Sequence, residues 1–537
     1  MSDGPRRPRP PLLGWSVFVV LGVLAWEASG AQLGAAAHRG ALDRTVALLT
    51  AFARPDLSVE ALRDGLWLSV QTVAVAAWGT ALGAALGFGL GLGASDRIAY
   101  CDGRPRAWST RIRVELVRGV LDGLRAIPDF AWALVVLVFV GAGPVTGMLA
   151  IALSVTGLLG RIYSQVLDAT PADRTRVVEA TGASRGVVAL WGYVPAAAGP
   201  MLSYTLLRFE CSMRNASVIG LVGGGGLGAA LFEELGFGRY DRVATLLLFL
   251  LALTALTDVA AKQIADRLRT GARPTRRRLW GWLGVGLCAS AVVLGPGGPQ
   301  AVAELSRLDA AFLAATVDGL LALDLGPQSL RTLLVQAVVP LGIAYLATVL
   351  ATGAAVGLLL LVPRTRPWAG ASAGIQRAHH LLRRLLDAVA LLARAIPDVV
   401  WLLLFGVALR VGPLAAIAAI ATHSFGLLAR LFAEAVDDVS PARIAPVALG
   451  SPRVTFAWGV WPQIAPTVWT HVSLQAESNL RAGLIVGIVG AGGLGDAFHD
   501  SITFWRLGEA SMQALAMIGL TLVVDRLARR VTAAVRR

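Results

Sequence analysis

The pentapeptide Arg-Ala-Ile-Pro-Asp stands twice in this chain of 537 residues, at positions 125–129 and 394–398. Further identities follow each copy in the same order. After the first come Gly143-Pro144, Gly157, Arg161, Trp191-Gly192, Pro195, Glu210, Arg214, Gly220 and the run Gly225-Gly226-Leu227-Gly228. After the second come Gly412-Pro413, Gly426, Arg430, Trp458-Gly459, Pro462, Glu477, Arg481, Gly487 and Gly492-Gly493-Leu494-Gly495. Arg125 and Arg394 are 269 residues apart and Trp191 and Trp458 are 267 apart, so a small net deletion separates the copies. A repeat of this length restricts the fold more than any single motif, because both units must bury the same pattern in the same way. Two homologous halves are expected, residues 1–272 with a core over 120–270 and residues 273–537 with a core over 390–530.

Composition fixes the solvent. Hydrophobic residues make up 56% of the chain and charged residues 15%, with a mean hydropathy of +0.66, far from a soluble domain. Residues 65–95, 279–303 and 332–363 contain no charged side chain, and each run exceeds the ~20 residues that cross a bilayer core. Backbone polar groups must be satisfied internally there, so the runs are helices. Gly83, Gly87, Gly89, Gly91 and Gly93 suit close helix packing. Three cysteines, Cys101, Cys211 and Cys288, show no metal-ligand spacing.

The net charge of +14 is distributed as membrane orientation requires, not as a nucleic-acid surface. Arginines crowd alternate connections: 6–9, 97–118, 161–185, 262–278, 364–384, 430–453 and 526–537. With these on the cytoplasmic side, spans fall near 12–30, 66–94, 130–141, 145–160, 197–221 and 243–260. The second set falls near 279–297, 329–362, 398–409, 413–428, 466–489 and 510–525. The expectation is an all-α integral membrane protein of about twelve helices (ten to twelve), both termini cytoplasmic. An even number per half sets the repeats parallel, related by a pseudo-two-fold axis along the membrane normal. Residues 12–30 are read as a retained span rather than a cleaved leader.

Each half carries a polar stretch too long for a tight bundle, 162–196 and 431–465, and duplication of such a stretch argues for function. Gly182-Ala183-Ser184 precedes Pro195 and Gly450-Ser451 precedes Pro462. This arrangement resembles the cytoplasmic loop of ABC-importer permeases, which carries Glu-Ala-Ala, then Gly, then Pro. The family's Glu, six residues before the Gly, is missing; Arg176 and Ile444 stand there, and Glu179 is the nearest acidic substitute in the first half. Arg208-Phe209-Glu210, Arg214-Asn215-Ala216-Ser217, the glycine run and His423-Ser424-Phe425-Gly426 sharpen the resemblance to the phosphonate ABC-importer permease, here two copies fused in one chain. The resemblance implies a tandem type I importer-like membrane domain in a bacterial inner membrane. It implies transport of a phosphonate or related phosphorus oxyanion. The coupling loops (Arg176, Glu179, Gly182, Ala183, Ser184, Pro195, Gly450, Ser451, Pro462) would dock ATPase subunits, two copies in all. An extracytoplasmic phosphonate-type binding protein would deliver the substrate.

Charges inside predicted spans are the candidates for a transport path: Glu210, Arg214, Glu477 and Arg481, with His423. Intramembrane ions are costly and face the bundle interior, and Glu and Arg at i and i+4 share a helix face. Two readings stand, a structural ion pair between repeats and an anion route whose arginines are offset by glutamates. Arg125, Pro128, Asp129 and their counterparts Arg394, Pro397, Asp398 fit a helix start at the cytoplasmic side, or a gate. His423 reads more simply as a hydrogen-bonding partner than as a ligand.

No enzyme is expected in this chain. A P-loop needs Gly-Lys-Ser/Thr, and the single lysine, Lys262, follows Ala261. ATP, the only cofactor implied, belongs to a partner, and no metal site or nucleic-acid partner is expected beside membrane lipid. The Gly-x-Gly-x-x-Gly matches at Gly223 and Gly490 follow no strand, so they are read as close-approach turns at the outer side. A secondary-active anion transporter, or an importer of phosphite, phosphate or sulfonate, is the alternative.

Overall fold

A computed structural model describes residues 12–32, 40–99, 108–171, 175–220, 223–269, 310–361, 373–439 and 452–535. The first half runs α1 (Leu12–Ser29), α2 (Ala41–Ala53), α3 (Val59–Ala94), α4 (Trp108–Ala126), α5 (Asp129–Val140), α6 (Pro144–Asp168), α7 (Val194–Ile219), α8 (Gly226–Gly236) and α9 (Tyr240–Arg269). The second runs α10 (Ala310–Leu321), α11 (Pro327–Leu361), α12 (Ala373–Ala395), α13 (Asp398–Leu409), α14 (Pro413–Asp437), α15 (Trp461–Val486), α16 (Leu494–Thr503) and α17 (Leu507–Val535). From α2 onward every helix of the first half has its counterpart at the repeat spacing. The expected span at 279–297 lies outside the described residues.

Among the described residues six helices are long and apolar enough to cross a membrane, or nine spans if each of three bent pairs counts as one. The bent pairs revise the expected layout. Residues 130–141 and 398–409 are not independent spans: α4 and α5 meet at 93°, and α12 and α13 at 99°. The cause is local. Pro128 and Pro397 lack the amide that would continue α4 and α12, and both adopt extended backbone as N-caps of the next helix. At only 12 residues, α5 is too short to span a bilayer core alone. α4 instead shows exposed Trp108, Ile112 and Leu116 on one side and Arg118 tied to Asp96 (2.9 Å) on the other.

The core of the first half is the contact between α3 and α6. Gly79, Gly83, Gly87 and Gly91 fall on one stripe of α3, and a β-carbon on Gly83 would stand 2.7 Å from Val155. Small residues allow this approach in lipid, where packing rather than water exclusion drives association. The counterpart stripe on α11 is Ala347, Ala351, Ala355 and Leu359, all buried. Gly89 and Gly93 lie off the stripe: nothing stands within 4 Å of a β-carbon at Gly89, and the nearest atom to one at Gly93 is 3.8 Å away.

The halves interlock. Leu227, Val243 and Leu250 of the first half share a core with Val400, Leu403 and Leu404 of the second. α1 crosses over completely, packing on α11 of the other half, where Gly342 lets the backbone of Ala25 come within 2.6 Å of an ideal β-carbon position. Two faces result. One bears the connections after α6 and α14, the loop face; the opposite one bears the glycine turns after α7 and α15, the glycine face. Gly143 N–H donates to Gly223 O there, tying the α5–α6 turn to the glycine run.

Candidate functional site

Asp129 begins α5, and its carboxylate reaches the middle of α6 at Ser154. Arg208 of α7 donates to both its oxygens, at 3.1 and 3.3 Å, and Ser154 and Asn215 also donate to it. Burial makes this arrangement obligatory. The Arg208 and Asp129 side chains are 15% and 14% exposed, and an ion so placed is tolerable only when paired and hydrogen-bonded.

The second half builds the same corner differently. The counterparts of Ser154, Arg208 and Asn215 are His423, Gln475 and Ala482, so Asp398 receives no arginine from α15 at that register. Its Oδ1 accepts from the Val399 N–H instead. Gln475 turns to Ser424 and Asn479, and Asn479 donates to Thr348, which closes a buried neutral network at 2.6–3.0 Å. His423 Nδ1 is 3.0 Å from Ile396 O, so that nitrogen donates. Asp398, Arg214 and Arg394 are the charges that act on this imidazole.

Between the halves lie two adjacent cavities. The larger, ≈160 Å³, is lined by Arg125, Asp129, Ser154, Arg208 and Asn215 of the first half and by Asp398, Arg481 and Ile485 of the second. The smaller, ≈110 Å³, is lined by Asp122, Arg125, Glu477, Arg481 and Asp525. Arg125 and Arg481 belong to both walls. Each has a carboxylate on its own helix: Arg125 Nε is 3.0 Å from Asp122, and Arg481 pairs with Glu477 as the i, i+4 spacing predicts. Even so, Arg481 Nε is buried without a hydrogen-bond partner. So is Nε of Arg214, its counterpart. Arg481 and Glu477 are therefore brought to the interface, and Glu210 lies on α7 with Arg214.

Two features escaped sequence reading. Arg208 and Asn215 stand in the sequence only as parts of motifs and Ser154 carries no signal there, yet together they hold Asp129. The available signal was comparative: Arg208 and Asn215 become Gln475 and Ala482 together, while both aspartates persist.

On the loop face Gly182 turns at φ +71°, with Ser184 exposed and Ala183 half-buried. Arg176 and Glu179 begin and end a one-turn helix, and their side chains lie outside those described. Gly450 and Ser451 lie outside the described residues. Just ahead of α7 and α15 the chain winds as a π-helix, Val188–Tyr193 and Phe456–Val460. Pro195 has no N–H for the Trp191 carbonyl and Pro462 none for that of Trp458, so the regular ladder cannot close there. Trp191 and Trp458 are each 74% exposed. On the glycine face the run serves contact: a β-carbon on Gly228 would meet Ser217 O at 1.8 Å, and one on Gly495 would meet Leu484 O at 2.1 Å. Gln71 and Thr72 of α3 accept from the first amides of α8.

Residues 107–270 and 367–537 each match the family described as binding-protein-dependent transport system inner membrane component. The chain belongs to that family, twice over. It is 29% identical over 502 residues to the phosphate-import permease protein PhnE of Mycolicibacterium smegmatis, covering 90% of this chain and 88% of that one. A putative phosphite transport system permease protein, HtxC of Stutzerimonas stutzeri, is 29% identical over 32% of this chain and 58% of its own. A putative cryptic phosphonate transport system permease protein, PhnE2 of Escherichia coli K12, is 30% identical over 22% of this chain and 96% of its own. No solved structure matches the chain. Membership makes this a multi-pass transport subunit of an inner membrane, working with a binding protein and an ATPase, and it favours that reading over a secondary-active carrier.

Proposed function

We propose that the chain supplies the whole membrane domain of an importer for a phosphorus oxyanion, phosphonate, phosphate or phosphite. The anion passes between the halves along the cavities walled by Arg125 and Arg481. The observation that carries this is Arg481: a buried guanidinium nitrogen without a partner, at an interface between repeats, beside space for a small tetrahedral anion. Intramembrane arginines of this kind mark ion paths, and Glu477 and Asp122 keep the site from holding the anion too tightly. The names of the relatives supply the choice of phosphorus oxyanions.

The loop face is the cytoplasmic one in this reading, with both termini inside. There residues 162–196 and 431–465, including Gly182, Ser184, Pro195, Gly450, Ser451 and Pro462, receive two ATPase subunits. Exposed Trp191 and Trp458 flank those docking points. An extracytoplasmic binding protein for phosphonate-type ligands meets the glycine face. The test is ATP-driven uptake in proteoliposomes holding the permease, the ATPase and the binding protein. Arg481→Gln is expected to cut uptake of methylphosphonate and phosphate at least tenfold while ATPase docking persists. Wild-type uptake by Arg481→Gln would refute the path.

A further inference from the structure

The helix α12 has the layout of a membrane-surface helix. α13, at 12 residues, rises ~18 Å and covers only about half of a ~30 Å bilayer core. α12 meets it at 99°, so its axis runs along the loop-side half of the bilayer rather than through it. Residues three, four and seven apart share a helix face. Leu381, Leu385, Val389 and Leu392 thus form one exposed apolar stripe, and Arg377 and Arg384 form a row along its edge. Both arginines are exposed, and neither joins an ion pair among the described residues; their neighbour Arg383 is taken by Asp387 at 3.8 Å. The stripe leads into a groove of ≈500 Å³ where α11, α12, α13 and α14 meet, lined by Leu350, Val389, Leu392, Trp401, Thr422 and Phe425 among others. Its two side-chain polar atoms are committed elsewhere: Trp401 Nε1 donates to Ala393 O and Thr422 Oγ1 to Ala418 O. The groove therefore offers an apolar wall, and Arg384 stands ~7.5 Å along the helix from its first residue, Val389.

The counterpart surface on α4 is laid out alike and charged differently. Ile112, Leu116 and Val120 repeat the stripe beside a groove of ≈610 Å³, which Trp108, Arg111 and Glu115 border. At the two edge positions Trp108 and Glu115 stand where the second half has Arg377 and Arg384. An anionic headgroup is repelled at the one and attracted at the other. We propose that the groove at the α12–α13 bend holds one anionic phospholipid of the loop-side leaflet. Its phosphate rests on Arg377 and Arg384, and an acyl chain crosses Leu385 and Val389 onto Trp401. The first half holds no such lipid. The occupant follows from charge complementarity in this medium: cations at headgroup level beside an apolar wall match an anionic amphiphile, whereas a free anion leaves the wall unused. A lipid so placed fills the angle that Pro397 opens between two helices, and it makes the fused chain asymmetric toward the bilayer. The inference is independent of which anion is transported.

The test counts lipid adducts. Full-length permease in detergent is titrated with dioleoyl phosphatidylglycerol or dioleoyl phosphatidylcholine and read by native mass spectrometry. Wild type is expected to take up its first phosphatidylglycerol at a concentration at least about tenfold below that needed for phosphatidylcholine. Arg377→Gln with Arg384→Gln, both at exposed positions, is expected to erase that preference. Arg111→Gln with Arg113→Gln removes the same charge from α4 and is expected to leave the preference within about twofold of wild type. Ala421→Phe fills the groove and is expected to weaken the first adduct of either lipid, and thermal unfolding establishes that each variant is folded. Trp108→Arg with Glu115→Arg is expected to add a second tightly held phosphatidylglycerol. A preference that survives loss of Arg377 and Arg384 overturns the proposal. So does an equal loss in the α4 control, which would mean unspecific attraction, and so does displacement of the lipid by excess inorganic phosphate, which would mean a free-anion site.

Discussion

The corner at Asp129 and the corner at Asp398 share a backbone and differ in chemistry. In the first, a charge is answered by a charge: Arg208, Ser154 and Asn215 converge on one carboxylate. In the second, the same helices exchange neutral hydrogen bonds among Thr348, Ser424, Gln475 and Asn479. Duplication fixes where helices cross, whereas the polar contents of each crossing are free to diverge as long as most buried groups find a partner.

That comparison can be broken most forcefully at the aspartates. Asp129→Ala strands Arg208 in a site 15% exposed and is expected to cost about 3 kcal/mol, whereas Asp398→Ala loses a helix-start carboxylate at about 1 kcal/mol. Thermal unfolding of the two purified variants measures the gap; equal losses would show that the corners are energetically alike. The pair Asp129→Asn with Arg208→Gln imports the neutral solution and is expected to lie closer to wild type than Asp129→Asn alone, with a coupling of about 1–3 kcal/mol. Next in size, Asn479→Ala opens the neutral network and costs about 1–3 kcal/mol. Its counterpart Ser212→Ala removes a buried hydroxyl that has no partner and is expected to be neutral or stabilising. Gln71→Ala frees the Gly226 amide and costs about 1 kcal/mol, while the counterpart Val339 accepts no such bond, so Val339→Ala should leave protection of the α16 amides unchanged in hydrogen exchange.

The smallest effect compares the turns before α3 and α11. Asp56 and Asp324 both sit below the ordinary carboxylate range. The Ser58 N–H lowers the first, and the Ser329 hydroxyl and Gly326 N–H lower the second. A carboxyl whose folded pKa is depressed stabilises the turn above its unfolded value of about 3.9, and that contribution fades as pH falls through the folded value. Exchange of the Ser58 and Gly326 amides is expected to quicken together below that range. Salt should separate them, since only Asp56 also faces an arginine, Arg242 at 3.5 Å.

Much of this was legible in the residues. The repeat announced the paired helices, glycines announced a close packing of α3 that Gly83, Gly87 and Gly91 make and Gly89 and Gly93 do not, and i, i+4 spacing announced the Glu477–Arg481 pair, because each signal is periodic or local. The pairing of Asp129 with Arg208 spans 79 positions and leaves no periodic trace. The bend at Pro128 was hidden for another reason: α5 is apolar after Asp129, so hydropathy reads a span where there is half of one. The charge-poor stretch could not say which half α1 would cover.

That last feature, α1 lying on α11, sets a schedule for assembly. Ala25 meets Gly342, and at ~5–20 residues per second the ribosome needs roughly a quarter-minute to a minute to make the partner. During that interval the first helix must wait in the bilayer with its contact surface covered by lipid or by the insertion machinery. Truncation before residue 342 should therefore leave a nascent chain whose amino-terminal helix is still accessible to crosslinkers, and completion of α11 should bury it.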